Sequence, residues 1–174
     1  MLKGKNIYIR AVREQDLEIF LDHLNDIESQ GEFLPIAMTP ESTLRRQYAE
    51  DGFVSDNSER YLITNRDDEI VGSIWAFKSV PYFDAVEVGY QIFDSESRGK
   101  GYASEALSLF HQYLFEAKQI NRIELRIATE NRASQKVALK AGFQLEGTNR
   151  EAAFSKGKRY DMNIYAKLRR EWET

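Results

Sequence analysis

Apolar and polar positions change period several times along the chain, and each change marks a new element. Ile7-Tyr8-Ile9-Arg10-Ala11 alternates in period two, the pattern of a short half-buried strand. From Arg13 onward Leu17, Phe20, Leu21 and Leu24 recur at helical spacing, which predicts an amphipathic helix with acid in its first turn. Gly31 and Pro35 interrupt any regular pattern, so residues 30–35 read as a loop. Thr39-Pro40-Glu41-Ser42 reads as a helix start, with the threonine as cap and the proline in first helical position; that helix runs to about Glu50. Strands follow at 61–64, 70–77 and 86–93, the first two joined by a polar hairpin turn. A wide apolar stripe from Ala103 through Leu107, Phe110 and Leu114 to Ala117 marks the longest helix. Residues 122–128 alternate again, a short helix runs from Arg132 to near Gly142, and strands around 143–154 and 160–168 enclose a turn at 155–158. The order β-α-α-β-β-β-α-β-α-β-β predicts a mixed α/β fold whose antiparallel hairpins precede a strand-helix-strand crossover.

Composition narrows the classes. The chain has 174 residues, 42 % hydrophobic and 30 % charged, enough for one domain spanning 1–174 with its own core. It has no cysteine, which excludes disulfides, thiolate metal sites and a cysteine nucleophile, and no metal site is expected. His23 and His111 are the only imidazoles, and on helices both read as surface or satisfied polar residues. A net charge of −4 argues against nucleic acid and anionic membrane surfaces as partners. No apolar run approaches the roughly 18 residues of a membrane span, and the first residues lack a signal-peptide core; the expectation is a cytoplasmic protein.

The informative stretch is Arg98-Gly99-Lys100-Gly101-Tyr102-Ala103-Ser104, between a strand and the longest helix. Glycines there let consecutive N–H groups converge on an anion, and the helix N-terminus adds its dipole, so a phosphate or pyrophosphate is the natural ligand. The plain alternative is a strand-to-helix turn that binds nothing. The P-loop spacing is absent, and a dinucleotide fingerprint lacks its third glycine because Ser104 stands there, although Glu124 could imitate its ribose-binding acid.

Arg98-x-x-Gly101-x-Ala103 matches the acetyl-CoA loop of the GNAT N-acetyltransferase superfamily. With Val86-Glu87-Val88-Gly89-Tyr90, Glu130-Asn131-x-x-Ser134-x-x-Val137, Gly142-Phe143, Leu145-Glu146-Gly147 and the closing Gly157-Lys158-x-x-Asp161-x-x-x-Tyr165-x-x-Leu168, the chain resembles the RimJ/RimL-like branch, the ribosomal-protein alanine N-acetyltransferases. The resemblance implies an acyl-CoA N-acyltransferase fold: a mixed, mostly antiparallel central sheet with a splayed strand pair and flanking helices. It implies acetyl-CoA as co-substrate, with the pantetheine arm along Tyr90, Ile92 and Phe93, the pyrophosphate on Arg98, Gly99, Lys100, Gly101, Tyr102, Ala103 and Ser104, and Asn131 reaching the pantetheine. A bulge is implied in the strand before the loop; Gly89 suits that, a close backbone approach or plain packing.

For catalysis the resemblance implies Glu87, eleven residues before Arg98, as general base and Ser134 as proton donor to the leaving thiolate. The bland readings are a solvated strand glutamate for Glu87, and helix capping for Ser134 and Asn131. Ala153 stands where related sequences carry a second acid; Glu151, two residues away, points the same way along a regular strand and is the substitute. Ala138 replaces the leaving-group tyrosine of other branches, leaving Tyr90 and Tyr160 as tyrosines able to donate, although both read first as packing or rim aromatics. The substrate side is expected at Glu32, Phe33 and Pro35 with Phe154 and Tyr160. The implied acceptor is a primary amine, a protein or peptide N-terminus. The alternatives are a small amine (polyamine, aminoglycoside or other antibiotic) and a non-catalytic CoA-binding sensor domain, and a homodimer stays open.

Overall fold

The computed structural model describes residues 1–28 and 30–173. Among these, eight strands form one sheet: β1 (Leu2–Lys3), β2 (Ile7–Arg10), β3 (Ser58–Asn65), β4 (Ile70–Phe77), β5 (Ala85–Ile92), β6 (Arg122–Ala128), β7 (Gln144–Ser155) and β8 (Lys158–Leu168), in the order β1-β2-β3-β4-β5-β6-β8-β7. The helices are α1 (Leu17–Asn25), α2 (Glu41–Asp51), α3 (Tyr102–Ala117), α4 (Arg132–Lys140) and a single terminal turn, α5 (Arg169–Trp172). Alternation decides which face each strand residue takes. One face packs Ile63, Ile74, Val88, Ile123 and Leu125 under Ala106, Leu107, Phe110 and Leu114 of α3. On the other, Leu62 and Phe93 meet Phe20 of α1 and Leu44 of α2. Arg169 fastens the far end of α3 by donating to the carbonyl of Phe115 at 2.8 Å, while Trp172 stacks on the Phe115 ring at 5.6 Å.

Pairing within the sheet is antiparallel except between β5 and β6, and that exception makes the site. These two strands run parallel and pair only at Ala85–Arg122, Val86–Ile123 and Glu87–Glu124. Beyond Glu87, β5 stays with β4 as far as Gly72–Ile92, whereas β6 stays with β8 as far as Ala128–Met162. The sheet therefore forks, and the fork-facing backbone of β5 has no strand partner. The expected bulge in β5 is absent, since its register with β4 runs without a shift from Phe77–Glu87 to Gly72–Ile92. Gly89 instead serves a close approach: a Cβ there would meet Cε2, Cζ2 and Nε1 of Trp75 at 2.4, 2.5 and 2.6 Å. The Arg60 guanidinium stacks on that same ring, 4.6 Å from its centroid.

Two further expectations need correction. Pro40 rather than Thr39 is the cap of α2, because Thr39 is drawn away by a reciprocal pair of hydrogen bonds with the Asn25 side chain, at 2.7 and 3.0 Å. β1 was not anticipated; at two residues it is too short for any period to register.

Candidate active site

The fork opens a cleft of about 900 Å³ whose walls come from β4, β5, β6, the start of α3, the start of α4 and the loop at residues 30–35. At one end lies the glycine loop. Gly99 and Gly101 have φ of 75° and 84°, in the left-handed region, and nothing lies within 4 Å of the Cβ that either would carry. Gly101 is the N-cap of the 16-residue α3, whose first amides have no intrahelical acceptor. Arg98, Gly99, Gly101, Tyr102, Ala103 and Ser104 all line the cleft. Arg98 also donates to the carbonyls of Ile92 and Phe93, both at 3.2 Å, tying the loop to the end of β5. Lys100 instead lines a second hollow, whose walls carry Arg10 and Arg98 together with Asp26, Glu28, Asp94 and Glu96.

Glu87 stands at the last paired position of the fork and faces the cleft, its side chain 16 % exposed. Arg126 reaches across from β6, its Nε 3.3 Å from Glu87 Oε2 and its Nη2 3.5 Å from Glu124 Oε2. Glu124 in turn accepts from Arg122 Nε at 2.6 Å, and Arg122 grips Glu146 of β7. A ladder of alternating charge thus runs from Glu146 of β7, past β8, along β6, and ends at Glu87. Burial holds the Glu87 carboxyl above the ordinary range; Arg126 opposes this, Glu124 adds to it, and a hydrogen bond with Ser79 opposes it. Such a carboxylate is a stronger proton acceptor than a solvated one.

Across the cleft, α4 presents Ser134 and Asn131. Asn131 caps the helix, its Oδ1 accepting from the Ser134 amide at 3.1 Å, so the capping reading of its side chain is correct, while both residues also line the cleft. Tyr90 and Gln91 line it as well, and Tyr90 Oη and Gln91 Nε2 are buried without a hydrogen-bond partner. Open glycine amides, a strand edge without a neighbour and two orphaned polar atoms together fit a long ligand with an anionic end and an amide-bearing arm. Ile92 lines this channel, whereas Phe93 is fully buried, packed between Phe20 and a stacked His23, and serves the core.

The opposite mouth is built by the 30–35 loop and the β7–β8 hairpin. Glu32 lines the cleft and accepts from Tyr160 at 3.3 Å, Phe33 meets the Tyr160 ring edge-on at 5.4 Å, and Pro35 lies beside them. The Ser155 hydroxyl shares its proton between the carbonyls of Glu32 and Leu34, at 2.9 and 2.8 Å, lacing loop to hairpin. Tyr160 is buried behind Glu32 as its support, and Phe154 is 60 % exposed and off the cleft. Glu151 is also off the cleft. A bulge sets Arg150, Glu151 and Ala152 against Asp161 alone; Glu151 sits at φ 50°, and its amide donates to Asp161 Oδ1 at 2.8 Å. The bulge resets the alternation on which the substitution by Glu151 depended. Among the described residues no cluster of His, Asp and Glu could hold a metal ion, and no helix is long and apolar enough to cross a membrane.

The family model described as an acetyltransferase (GNAT) domain matches residues 6–144. The chain belongs to the GNAT acetyltransferase family. It is 31 % identical, over 95 % of each chain, to the uncharacterized N-acetyltransferase YoaA of Bacillus subtilis (strain 168). It is 33 % identical to the ribosomal-protein-serine acetyltransferase of Escherichia coli (strain K12), over 59 % of this chain and 57 % of that protein. The fold superposes on spermidine N-acetyltransferase from Vibrio cholerae in complex with CoA and spermine with a TM-score of 0.85 at 19 % identity, covering 98 % of this chain and 100 % of that one. In this GNAT acetyltransferase Trp75, Phe77, Gln91, Arg126, Asn149 and Met162 also line the cleft, and sequence reasoning missed them. Trp75 and Arg126 owe their places to strand pairing, which no local pattern carries. Antiparallel pairing of β4 with β5 sets Trp75 opposite Gly89, and parallel pairing sets Glu124 opposite Glu87, with Arg126 next on the same face.

Proposed function

We propose that the chain works as a single domain that moves an acetyl group directly from acetyl-CoA to the free N-terminal amine of a peptide or protein. The observation that carries this reading is Glu87, half-desolvated at the crotch of the fork, in one cleft with the glycine loop and Ser134. When bound, acetyl-CoA supplies an acetyl group activated as a thioester. The amides from Gly99 to Ser104 would hold its pyrophosphate, and the free edge of β5 would pair with its pantetheine arm as an added strand. Glu87 takes the proton from the acceptor amine, which must be neutral to attack. Ser134 offers its hydroxyl proton to the departing sulfur and regains one from water, while the proton held by Glu87 returns to solvent.

The acceptor class follows from the mouth. Glu32 and Glu87 are the only carboxylates among the described cleft residues, and Glu87 is shared with Arg126. Phe33, Leu34, Pro35, Trp75, Phe77 and Met162 give the cleft apolar wall, beside the polar Gln30 and Asn149. Such walls suit one amine on a largely neutral chain better than a polyamine, whose several cations need several carboxylates. Likeness to the E. coli ribosomal-protein-serine acetyltransferase supports the same reading. The test is release of CoA thiol in the presence of peptides with free N-termini, polyamines or aminoglycosides, with a mass shift to locate the acetyl group. Peptides acetylated at the α-amine, with a kcat/KM above that of the other classes, are the expected result. Selective turnover of spermidine or an aminoglycoside overturns the acceptor class, and thiol release with no amine tried supports the sensor reading.

A further inference from the structure

The Tyr90 hydroxyl makes no well-formed hydrogen bond inside the protein. Its ring packs against the main core, where phenylalanine would fit equally well, and its oxygen is buried without a hydrogen bond of ordinary geometry. A buried hydroxyl so poorly satisfied costs stability in the folded state, and in a native protein that points to a role with ligand present. The polar group facing it is the Ser134 side chain, from the first turn of α4. Both residues line the cleft. Burial pushes the Tyr90 phenol up to about 12, so it keeps its proton and can donate throughout the neutral range.

Ser134 is already fixed at its backbone, because its amide donates to Asn131 Oδ1 at 3.1 Å. What remains free is the hydroxyl torsion. A serine hydroxyl has a single proton and two lone pairs, so its donor direction depends on what occupies the lone pairs. We propose that Tyr90 is a positioning residue: its hydroxyl donates to Ser134 Oγ in the reactive complex, directing the one Ser134 proton into the cleft toward the departing sulfur. The donation also polarises the Ser134 O–H bond and strengthens it as a donor. No proton leaves Tyr90 in this arrangement. The inference rests on the reading of Ser134 as the donor to that sulfur.

The experiment is steady-state kinetics on Tyr90→Phe, Ser134→Ala and the double variant, with thermal unfolding of each. Tyr90→Phe lowers kcat about tenfold, the worth of one hydrogen bond in the transition state, and leaves both KM values within about twofold. Its Tm equals or exceeds that of wild type, because the orphaned hydroxyl is gone; a merely structural tyrosine would move Tm down instead. In the Ser134→Ala background the same substitution has no further effect on kcat, since the two groups act as one unit. Wild-type kcat in Tyr90→Phe alongside an impaired Ser134→Ala overturns the positioning role alone. An undiminished tenfold loss in the Ser134→Ala background does the same. Wild-type kcat in Ser134→Ala overturns the donor reading on which the inference stands.

Discussion

Glu87 sits under opposed influences, and their signs make it testable. Burial and Glu124 raise its carboxyl, whereas Arg126 and Ser79 lower it. In Glu87→Gln, kcat/KM falls by about 10²–10⁴-fold at neutral pH and the acidic limb of the pH–rate profile flattens. In Arg126→Gln the carboxyl loses its cation and rises further, so the acidic limb moves to higher pH; Arg126→Lys keeps it near wild type. A pH profile of kcat/KM for the three variants checks both, and an unchanged limb in Glu87→Gln returns that residue to a plain ion-pair partner. The place of Glu87 in the cleft was legible through the family resemblance, which ties it to Arg98 along one continuous strand and loop. Arg126 was not, since its contact with Glu87 crosses between strands far apart in sequence. Glu151 was misread for a related reason: a bulge is a property of two paired strands, and alternation within one strand does not contain it.

At the scale of elements, α4 is held at both ends by different chemistry. Its start is capped by Asn131, and its last carbonyls include Ala141 O, which accepts from Lys167 Nζ at 2.9 Å. Lys167 also lies 3.2 Å from His111 Nε2, and His111 Nδ1 lies 2.9 Å from the Leu107 carbonyl of α3. This arrangement needs a neutral imidazole with its proton on Nδ1. Burial chiefly, and Lys167 as well, hold His111 below its ordinary value of 6.5, with the Leu107 carbonyl opposing. An imidazole whose folded value is depressed contributes stability that is fully present above the unfolded value and is lost as pH falls through that value toward the folded one. Denaturant unfolding at about pH 7.5 and 5.5 therefore shows a loss on acidification that is smaller in His111→Gln than in wild type. Equal losses would remove His111 from the acid response. The helices themselves were readable because an apolar stripe is local, and the start of α2 was not, because Asn25 competes for Thr39 from another element.

Over the whole molecule, the order of elements, β1 and α5 apart, and the forked parallel pair agree with the reading from sequence, and the walls of the cleft do not reduce to it. A crossover helix between two strands dictates that β5 and β6 run parallel. Which side chains then face one another across the fork depends on register, and the stack of Gly89, Trp75 and Arg60 belongs to that level. The stack has a spectroscopic consequence. The chain has two tryptophans, and Trp172 rests on Phe115 beyond the far end of α3, away from the cleft, while the Trp75 indole forms part of its wall. Filling the cleft changes the dielectric around one fluorophore and leaves the other untouched. Titration with CoA is expected to shift tryptophan emission in wild type and in Trp172→Phe and to leave Trp75→Phe silent; a response surviving in Trp75→Phe would place the ligand elsewhere. The close approach that glycine permits on β5 thus gives the enzyme a native optical gauge of occupancy, readable without any label.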